Sequence, residues 1–272
     1  MSLVEYIILA IIQGITEPLP ISSSGHMMLF KNIFATKIFD GNLNFEIICN
    51  FGSFLAILFI FRKDIIKYVS LFFNYLFNKK KRKESQKGFL YCIYVVISTI
   101  PVTITGLIFK DKIESLFNNH IMIIGFMFLI TALALFIVRK FKGSKDDDNI
   151  TLLDAIIIGL FQAATIIPGI SRSGTVLVAC LLCKLKRDTA LRYTFILYFP
   201  VSIGAMILGV SDLINTPDLS SLLLPYALGM VISCLITYLS YEWLSNWVKR
   251  GKLAYFSIYC LILALFTFIF FR

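Results

Sequence analysis

The chain is dominated by long apolar runs that recur from end to end, at 45–61, 89–109, 121–138, 152–167, 193–210, 220–241 and 253–271. About 20 helical residues cross a hydrocarbon core of about 30 Å, so several of these runs are long enough to span a bilayer. A membrane β-barrel would instead alternate apolar and polar residues in segments of about ten, and no such alternation is present. A chain that is 58% hydrophobic, with a mean hydropathy of +0.84, is also too apolar for a soluble domain of ordinary size. The expected fold is therefore an all-α integral membrane protein. The first apolar stretch, residues 3–12, carries Glu5, has no basic flank and leads into a polar motif rather than a cleavage site. It is read as part of the mature chain.

The formal charge of +10 does not signal nucleic acid, because the basic residues are confined to particular loops. Nine fall between Arg62 and Lys87, four between Arg139 and Lys145, four between Lys184 and Arg192, and three at Lys249, Arg250 and Lys252. Under the positive-inside rule these loops are cytoplasmic. The connections near 31–44, 109–120 and 211–219 hold only Lys31, Lys37, Lys110 and Lys112 with several acids, and are expected outside. Lys79 to Lys83 then serve topology and anionic-lipid contact. The six cysteines all lie in apolar stretches, and Cys180-x-x-Cys183 lacks a second ligand pair, so packing is the expected role.

A hexapeptide occurs twice, Ile21-Ser-Ser-Ser-Gly-His26 and Ile170-Ser-Arg-Ser-Gly-Thr175. Each copy closely follows a proline, each has a glutamine upstream in an apolar run (Gln13 and Gln162), and each precedes a long span at a comparable distance. The single transmembrane domain, 1–272, thus divides into two related halves, 1–145 and 146–272. Six full spans, at 45–61, 89–108, 121–138, 193–210, 220–243 and 253–271, put all four basic clusters on one side only if each hexapeptide region leaves by the face it entered. That makes two re-entrant helix-loop-helix hairpins, the first from outside and the second from the cytoplasm. Three spans separate them, which gives an inverted-topology repeat. Polar, irregular backbone at that depth survives only in protein or against a wet cavity. The two loops are expected to meet near the midplane.

Ionisable groups inside apolar surroundings are costly unless paired or functional. Asp154 is read as a helix cap, and Glu46 suits a pocket or an interface equally. Glu17, His26 and Arg172 lie in or beside the repeated loops and suit phosphoryl chemistry. Arg172 offers a planar fork to phosphate, extended by the hydroxyls and free backbone N–H groups around it. Glu17 suits a divalent cation, with Gln13 one turn earlier adding a neutral oxygen. His26 can move a proton, attack phosphorus, or simply be a hydrogen-bonded core histidine. Ser22, Ser23 and Ser24 offer a nucleophile or donors.

The stretch from Gln13 through Glu17, Pro18 and Pro20 to Ser22-Ser-Ser-Gly-His26 resembles the first motif of the undecaprenyl-diphosphate phosphatases, also called bacitracin-resistance proteins. Pro168-Gly-Ile-Ser-Arg-Ser-Gly174 resembles their second, and the similarity runs through Phe45-Glu46, Pro101 to Gly106, Asp154, Gln162 and the last span. The resemblance implies hydrolysis of undecaprenyl diphosphate to the monophosphate and phosphate. That reaction recycles the carrier for peptidoglycan synthesis and confers bacitracin resistance. It also implies dependence on Mg²⁺ or Ca²⁺, a homodimer in the bacterial cell membrane, and a site open to the outer face. By position, Gln13 and Glu17 match the acidic motif and metal site, and Ser22, Ser23 and His26 the catalytic turn with Ser24 and Gly25. Ser171, Arg172, Ser173 and Gly174 match the phosphate-binding turn. The motif leaves the nucleophile open among serine, histidine and water. Gln13 stands where many members have Glu, Pro18 for Phe, Ser24 for Thr and Asn50 for Gln. A transporter or flippase of the same lipid carrier would share this architecture, and release of inorganic phosphate separates the two.

Overall fold

The computed structural model describes residues 3–34, 43–117, 121–214 and 219–271, and among them the secondary structure is helical. The helices are α1 (Leu3–Thr16), α2 (Ser23–Phe34), α3 (Leu43–Phe77), α4 (Arg82–Phe117), α5 (Ile121–Val138), α6 (Leu152–Ala163), α7 (Arg172–Leu182), α8 (Arg187–Ile214), α9 (Leu219–Lys249) and α10 (Leu253–Phe270). Six of them, α3, α4, α5, α8, α9 and α10, contain stretches long and apolar enough to cross a membrane. These match the six expected spans. The chain is thus a multi-pass membrane protein, with large apolar side chains such as Val96, Leu133, Leu235 and Ile262 exposed on its outer surface.

The expected spans stop short in one place. Apolar character falls off after Phe61, yet α3 continues to Phe77 and α4 begins at Arg82. Charged residues do not break a helix, and an aromatic ladder holds this extension together. Tyr68 stacks on Tyr91 at 4.0 Å, and Phe89 stacks on both Tyr75 at 4.2 Å and Phe72 at 5.2 Å.

The remaining helices are short. At 1.5 Å per residue, α1, α2, α6 and α7 reach about 16–21 Å, less than a hydrocarbon core. Within the α7 helix, residues from Val176 to Leu181 are buried on every side, as expected of a helix that is apolar all round. The segment before α6 and the segment after α7 are tied to each other. Backbone N–H groups of Ser144 and Lys145 donate to the Lys184 carbonyl, and Lys186 N–H donates to the Lys145 carbonyl at 2.8 Å. Gly143 makes this possible: its φ is +67°, and a Cβ there would lie 2.0 Å from the Leu185 carbonyl oxygen. Beside it, Thr151 and Asp154 form a capping box at the start of α6, and the Asp154 carboxylate takes an ion pair from Lys145 at 2.8 Å. Burial works against that carboxylate's charge, but Lys145 and Thr151 outweigh it and hold its pKa below the ordinary value. Asp154 is a cap, as its position suggests.

Small residues bring α1, α3 and α9 into close contact. Gly52 lies where a Cβ would meet the Met230 carbonyl at 2.2 Å, and the polar atoms exposed by that approach pair internally. Ser233 donates to the Cys49 carbonyl, Thr237 donates to Ser53 at 2.8 Å, and Thr237 also reaches the Gly14 carbonyl. This seam fixes α1, and with it the positions of Gln13 and Glu17. Cys180, Cys183 and Cys260 are free thiols in the main apolar cluster.

Candidate active site

The two hexapeptides share their capping hydrogen bonds, although Ser22 is left-handed where Ser171 is extended. Ser22 and Ser171 each precede the first residue of a helix, and each accepts a hydrogen bond from the backbone N–H three residues on, Gly25 and Gly174, at 3.1 Å. Each also lies 3.4 Å from the hydroxyl two residues on, Ser24 or Ser173. The Ser-x-Ser-Gly pattern is thus a capping motif, with the first serine as cap and the glycine N–H as its donor. A Cβ on Gly25 would lie 2.7 Å from Phe128, and one on Gly174 would meet the capping Ser171 at 3.0 Å. The loops also grip each other reciprocally. Gly169 N–H donates to Ser24 Oγ at 3.3 Å, and Ser173 Oγ donates to the Leu19 carbonyl at 2.9 Å.

Glu17 is the hub between them. It ends α1 with its backbone N–H on the Gln13 carbonyl and is only 8% exposed. Its Oε1 accepts from Arg172 Nη2 at 2.8 Å, while its Oε2 accepts from Ser23 Oγ at 2.6 Å and from Gln13 Nε2 at 2.9 Å. A buried carboxylate persists only when paired and hydrogen-bonded, and these three donors meet that requirement. Arg172 is held flat, its guanidinium 4.7 Å above the Tyr198 ring and Nη1 3.5 Å from Ser202 Oγ. Its side chain keeps 29% exposure toward the cavity, so part of the fork remains available.

Thr16, Glu17, Ser23, Ser24, Glu46, Asn50, Ser171, Arg172 and Ser173 line the polar end of a cavity of about 550 Å³. The rest of its wall comes from α4, the 164–170 turn and α8, including Val102, Gly106, Pro168, Pro200 and Gly204. The helix starts at Ser23 and Arg172 add backbone N–H groups without intrahelical partners, which favour anions.

Ser22 and His26 are not among the cavity-lining residues. Ser22 is buried in a left-handed conformation, φ +69°, a costly arrangement for a non-glycine residue that the turn enforces. The His26 ring sits behind it, with Nδ1 2.6 Å from the Ser22 carbonyl and Nε2 2.8 Å from the Tyr259 hydroxyl, against which it stacks. The geometry is that of a brace holding the turn rather than of a group facing the cavity.

A family model described as bacitracin resistance protein BacA matches residues 6–266. The chain belongs to this family. Among its relatives, undecaprenyl-diphosphatase 1 of Bacillus cereus is 42% identical over 98% of this chain and 97% of that one. Undecaprenyl-diphosphatase of Oceanobacillus iheyensis is 40% identical over 99% of this chain and 97% of its own, and undecaprenyl-diphosphatase 1 of Halalkalibacterium halodurans is 38% identical over 95% and 92%.

The donor set of this BacA family member suits a hard cation. Gln13 is fully buried and its Oε1 has no hydrogen-bond partner, while its Nε2 faces both Glu17 and Asn50 Oδ1, the latter at 2.5 Å. A half-turn of that amide would bring three acceptor oxygens together, an arrangement that a cation between them would stabilise. Among the described residues no three His, Cys, Asp or Glu side chains gather, so such a site depends on amide and hydroxyl oxygens as well as Glu17.

Asn50 and Glu46 on α3, Tyr198 on α8 and Tyr259 on α10 join this arrangement from outside the two motifs. Asn50 stood out in the sequence only as a departure from the resembled pattern. Tyr198 and Tyr259 carried no signal, since a tyrosine in an apolar span looks like packing.

Proposed function

We propose that the chain hydrolyses undecaprenyl diphosphate to undecaprenyl phosphate and inorganic phosphate, in a bacterial cell membrane and from a site open to the outer face. Such turnover returns the carrier to peptidoglycan synthesis and underlies bacitracin resistance. The observation that carries the reading is the contact of Ser23 Oγ with Glu17 Oε2 at 2.6 Å, beside Arg172 at the polar end of an otherwise apolar cavity. A hydroxyl within hydrogen-bond reach of a positioned carboxylate is the arrangement of an activated nucleophile.

Arg172, the hydroxyls of Ser24, Ser171 and Ser173, and the N–H groups at the two helix starts bind the terminal phosphate. Glu17 accepts the Ser23 proton as Oγ bonds to the terminal phosphorus, and the bridging P–O bond breaks to release undecaprenyl phosphate. Water then bonds to the phosphorus of the phosphoserine as the P–Oγ bond breaks, Glu17 returns its proton to Oγ, and the water's protons leave with the released phosphate. Gln13, Glu17 and Asn50 would hold the divalent cation, Mg²⁺ or Ca²⁺, whose charge offsets that of the diphosphate. Ser22 and His26 position the turn. His26 acts through the Ser22 carbonyl, not on phosphorus.

The topology belongs to the same proposal. The α1–α2 and α6–α7 pairs are re-entrant hairpins, and 1–145 and 146–272 are inverted repeats. The hydrogen bonds joining the 144–145 and 184–186 segments support return of the second hairpin to its own side. The matched caps, and the reciprocal Ser24–Gly169 and Ser173–Leu19 contacts, support a two-fold relation of the halves. Pairing as a homodimer completes the reading. Phosphate release from undecaprenyl diphosphate by the purified protein is the test, and absence of release would overturn it.

A further inference from the structure

Two buried polar groups beside Glu17 have no hydrogen-bond partner: the Tyr198 hydroxyl on α8 and Gln162 Oε1 on α6. With Glu17 and Arg172, these two residues line a void of about 10 Å³, separate from the main cavity. Unpaired buried groups are few in folded proteins and carry a desolvation cost. Two at one void, against the central ion pair, therefore call for a cause. Both come from the second half of the chain. Gln162 corresponds to Gln13, and, counted from the starts of the spans at 45 and 193, Tyr198 takes the place of Asn50. Gln13 bonds to both Asn50 and Glu17, whereas the Tyr198 hydroxyl and Gln162 Oε1 make no such bond.

The Tyr198 ring underlies the Arg172 guanidinium at 4.7 Å. Its hydroxyl lies near Glu17 and Ser202 without meeting hydrogen-bond geometry with either. Arg172 Nη2 is committed to Glu17 Oε1 at 2.8 Å, while Nη1 is a long 3.5 Å from Ser202 Oγ. A terminal phosphate competes with Glu17 for that same fork. Once the fork turns to phosphate, Glu17 loses its charged donor. Gln13 and Ser23 both contact Oε2, so Oε1 is the oxygen left bare, and a buried carboxylate oxygen needs another donor. Among the described residues, Tyr198 carries the one unpaired buried hydroxyl at this void. A hydroxyl proton turns freely about its C–O bond, the void leaves room for a small shift, and a flat ring holds a cation anywhere over its face.

We propose that Tyr198 is a positioning residue for phosphate capture: its hydroxyl replaces Arg172 as a donor to Glu17 while the guanidinium, still stacked on the ring, turns to the terminal phosphate. This rests on the proposed function above. The exchange lowers the cost of drawing Arg172 off Glu17. It therefore acts on substrate affinity and leaves the chemical step unchanged.

Tyr198→Phe is the direct test, because it keeps the ring and removes the hydroxyl alone. Loss of a buried hydroxyl that has no partner leaves the free protein as stable as before or more so. Loss of a donor used only in the bound state weakens binding. The probe is a C15 prenyl methylenediphosphonate, which resists cleavage at the bridge, with Kd measured by calorimetry in detergent and Mg²⁺. A lost hydrogen bond to a charged group corresponds to about 10–150-fold in affinity. In Tyr198→Phe, Kd for the probe and KM for undecaprenyl diphosphate are expected to rise by at least about tenfold, with kcat within about threefold of wild type. The Tm should stay at or above that of wild type. Tyr198→Leu, which also removes the platform, should bind more weakly still. In a Glu17→Gln background, Tyr198→Phe should change Kd by less than about threefold, because the charged acceptor is gone. Wild-type affinity in Tyr198→Phe, a Tm lowered by several degrees, or equal losses in the two backgrounds would overturn the proposal. Equal weakening by Tyr226→Phe, whose hydroxyl is also buried and unpaired but does not line the cavity, would overturn it too. A wild-type protein that binds the probe yet releases no phosphate from the diphosphate would refute the hydrolase reading, while the Kd comparison would still decide the role of Tyr198.

Discussion

Arg172→Lys separates the shape of the guanidinium from its charge. The ammonium keeps a cation near Glu17, so the buried carboxylate is not left uncompensated, a loss that would cost about 3–5 kcal/mol. It lacks the planar fork that bonds Glu17 Oε1 at 2.8 Å while still offering donors to the cavity, and the stacking on Tyr198 at 4.7 Å. A charged hydrogen bond is worth about 1.5–3 kcal/mol, so losing one at the phosphate lowers kcat/KM by about 10–150-fold. Arg172→Ala removes the whole clamp, and a loss of at least about 10²-fold is expected. Both variants are measured by phosphate release from undecaprenyl diphosphate in detergent, with unfolding followed through the fluorescence of Trp243 and Trp247. The expected pattern is a Lys variant with near-native stability and an activity between wild type and Ala. A Lys variant with wild-type kcat/KM would refute the argument from the fork, and an Ala variant with near-normal activity would remove Arg172 from the site.

Three further outcomes are expected. Ser23→Ala should lower kcat by at least about 10³-fold and Glu17→Ala kcat/KM by at least about 10²-fold, and near-normal turnover by either in the same assay would displace the Ser23–Glu17 pair. His26→Ala removes the ring's contacts with the Ser22 carbonyl, which keeps the backbone N–H of residue 26, and with the exposed Tyr259 hydroxyl, each lost hydrogen bond costing about 0.5–1.5 kcal/mol. Its melting temperature should fall by several degrees while its activity falls less than in Arg172→Ala, and the reverse ordering would make His26 a participant in the chemistry. Cysteines at Lys142 and Lys184 should react with an impermeant maleimide only from the side on which Lys81 is labelled, and one at Asn32 only from the other. Opposite labelling of Lys142 and Lys184 would abolish the second re-entrant hairpin.

The six spans were legible because burial in lipid imposes continuous apolar runs, and charge in the intervening loops is not masked by packing. The capping turns were legible in part: Ser-x-Ser-Gly twice, at matching positions, carries both a fold and a chemistry. That Ser23 faces the cavity while Ser22 is buried as the cap was not, because neighbouring hydroxyls are chemically alike until the left-handed φ of Ser22 separates them. His26 was ambiguous for a related reason, since a proton shuttle and a brace need the same ring and differ only in what Tyr259, far along the chain, contributes. The extension of α3 past its apolar run was hidden by its lysines, and its aromatic partners on α4 became apparent only in the pairing of the two helices.

Everything above turns on hydrolysis at the pocket joining the two turns. Its most direct test is release of inorganic phosphate from undecaprenyl diphosphate by the purified chain, with and without a chelator and with Mg²⁺ or Ca²⁺ restored. Equal amounts of phosphate and undecaprenyl phosphate are expected, lost on chelation and recovered with either cation. Movement of the intact diphosphate across liposomes with no phosphate released would contradict it and make the protein a transporter of the carrier.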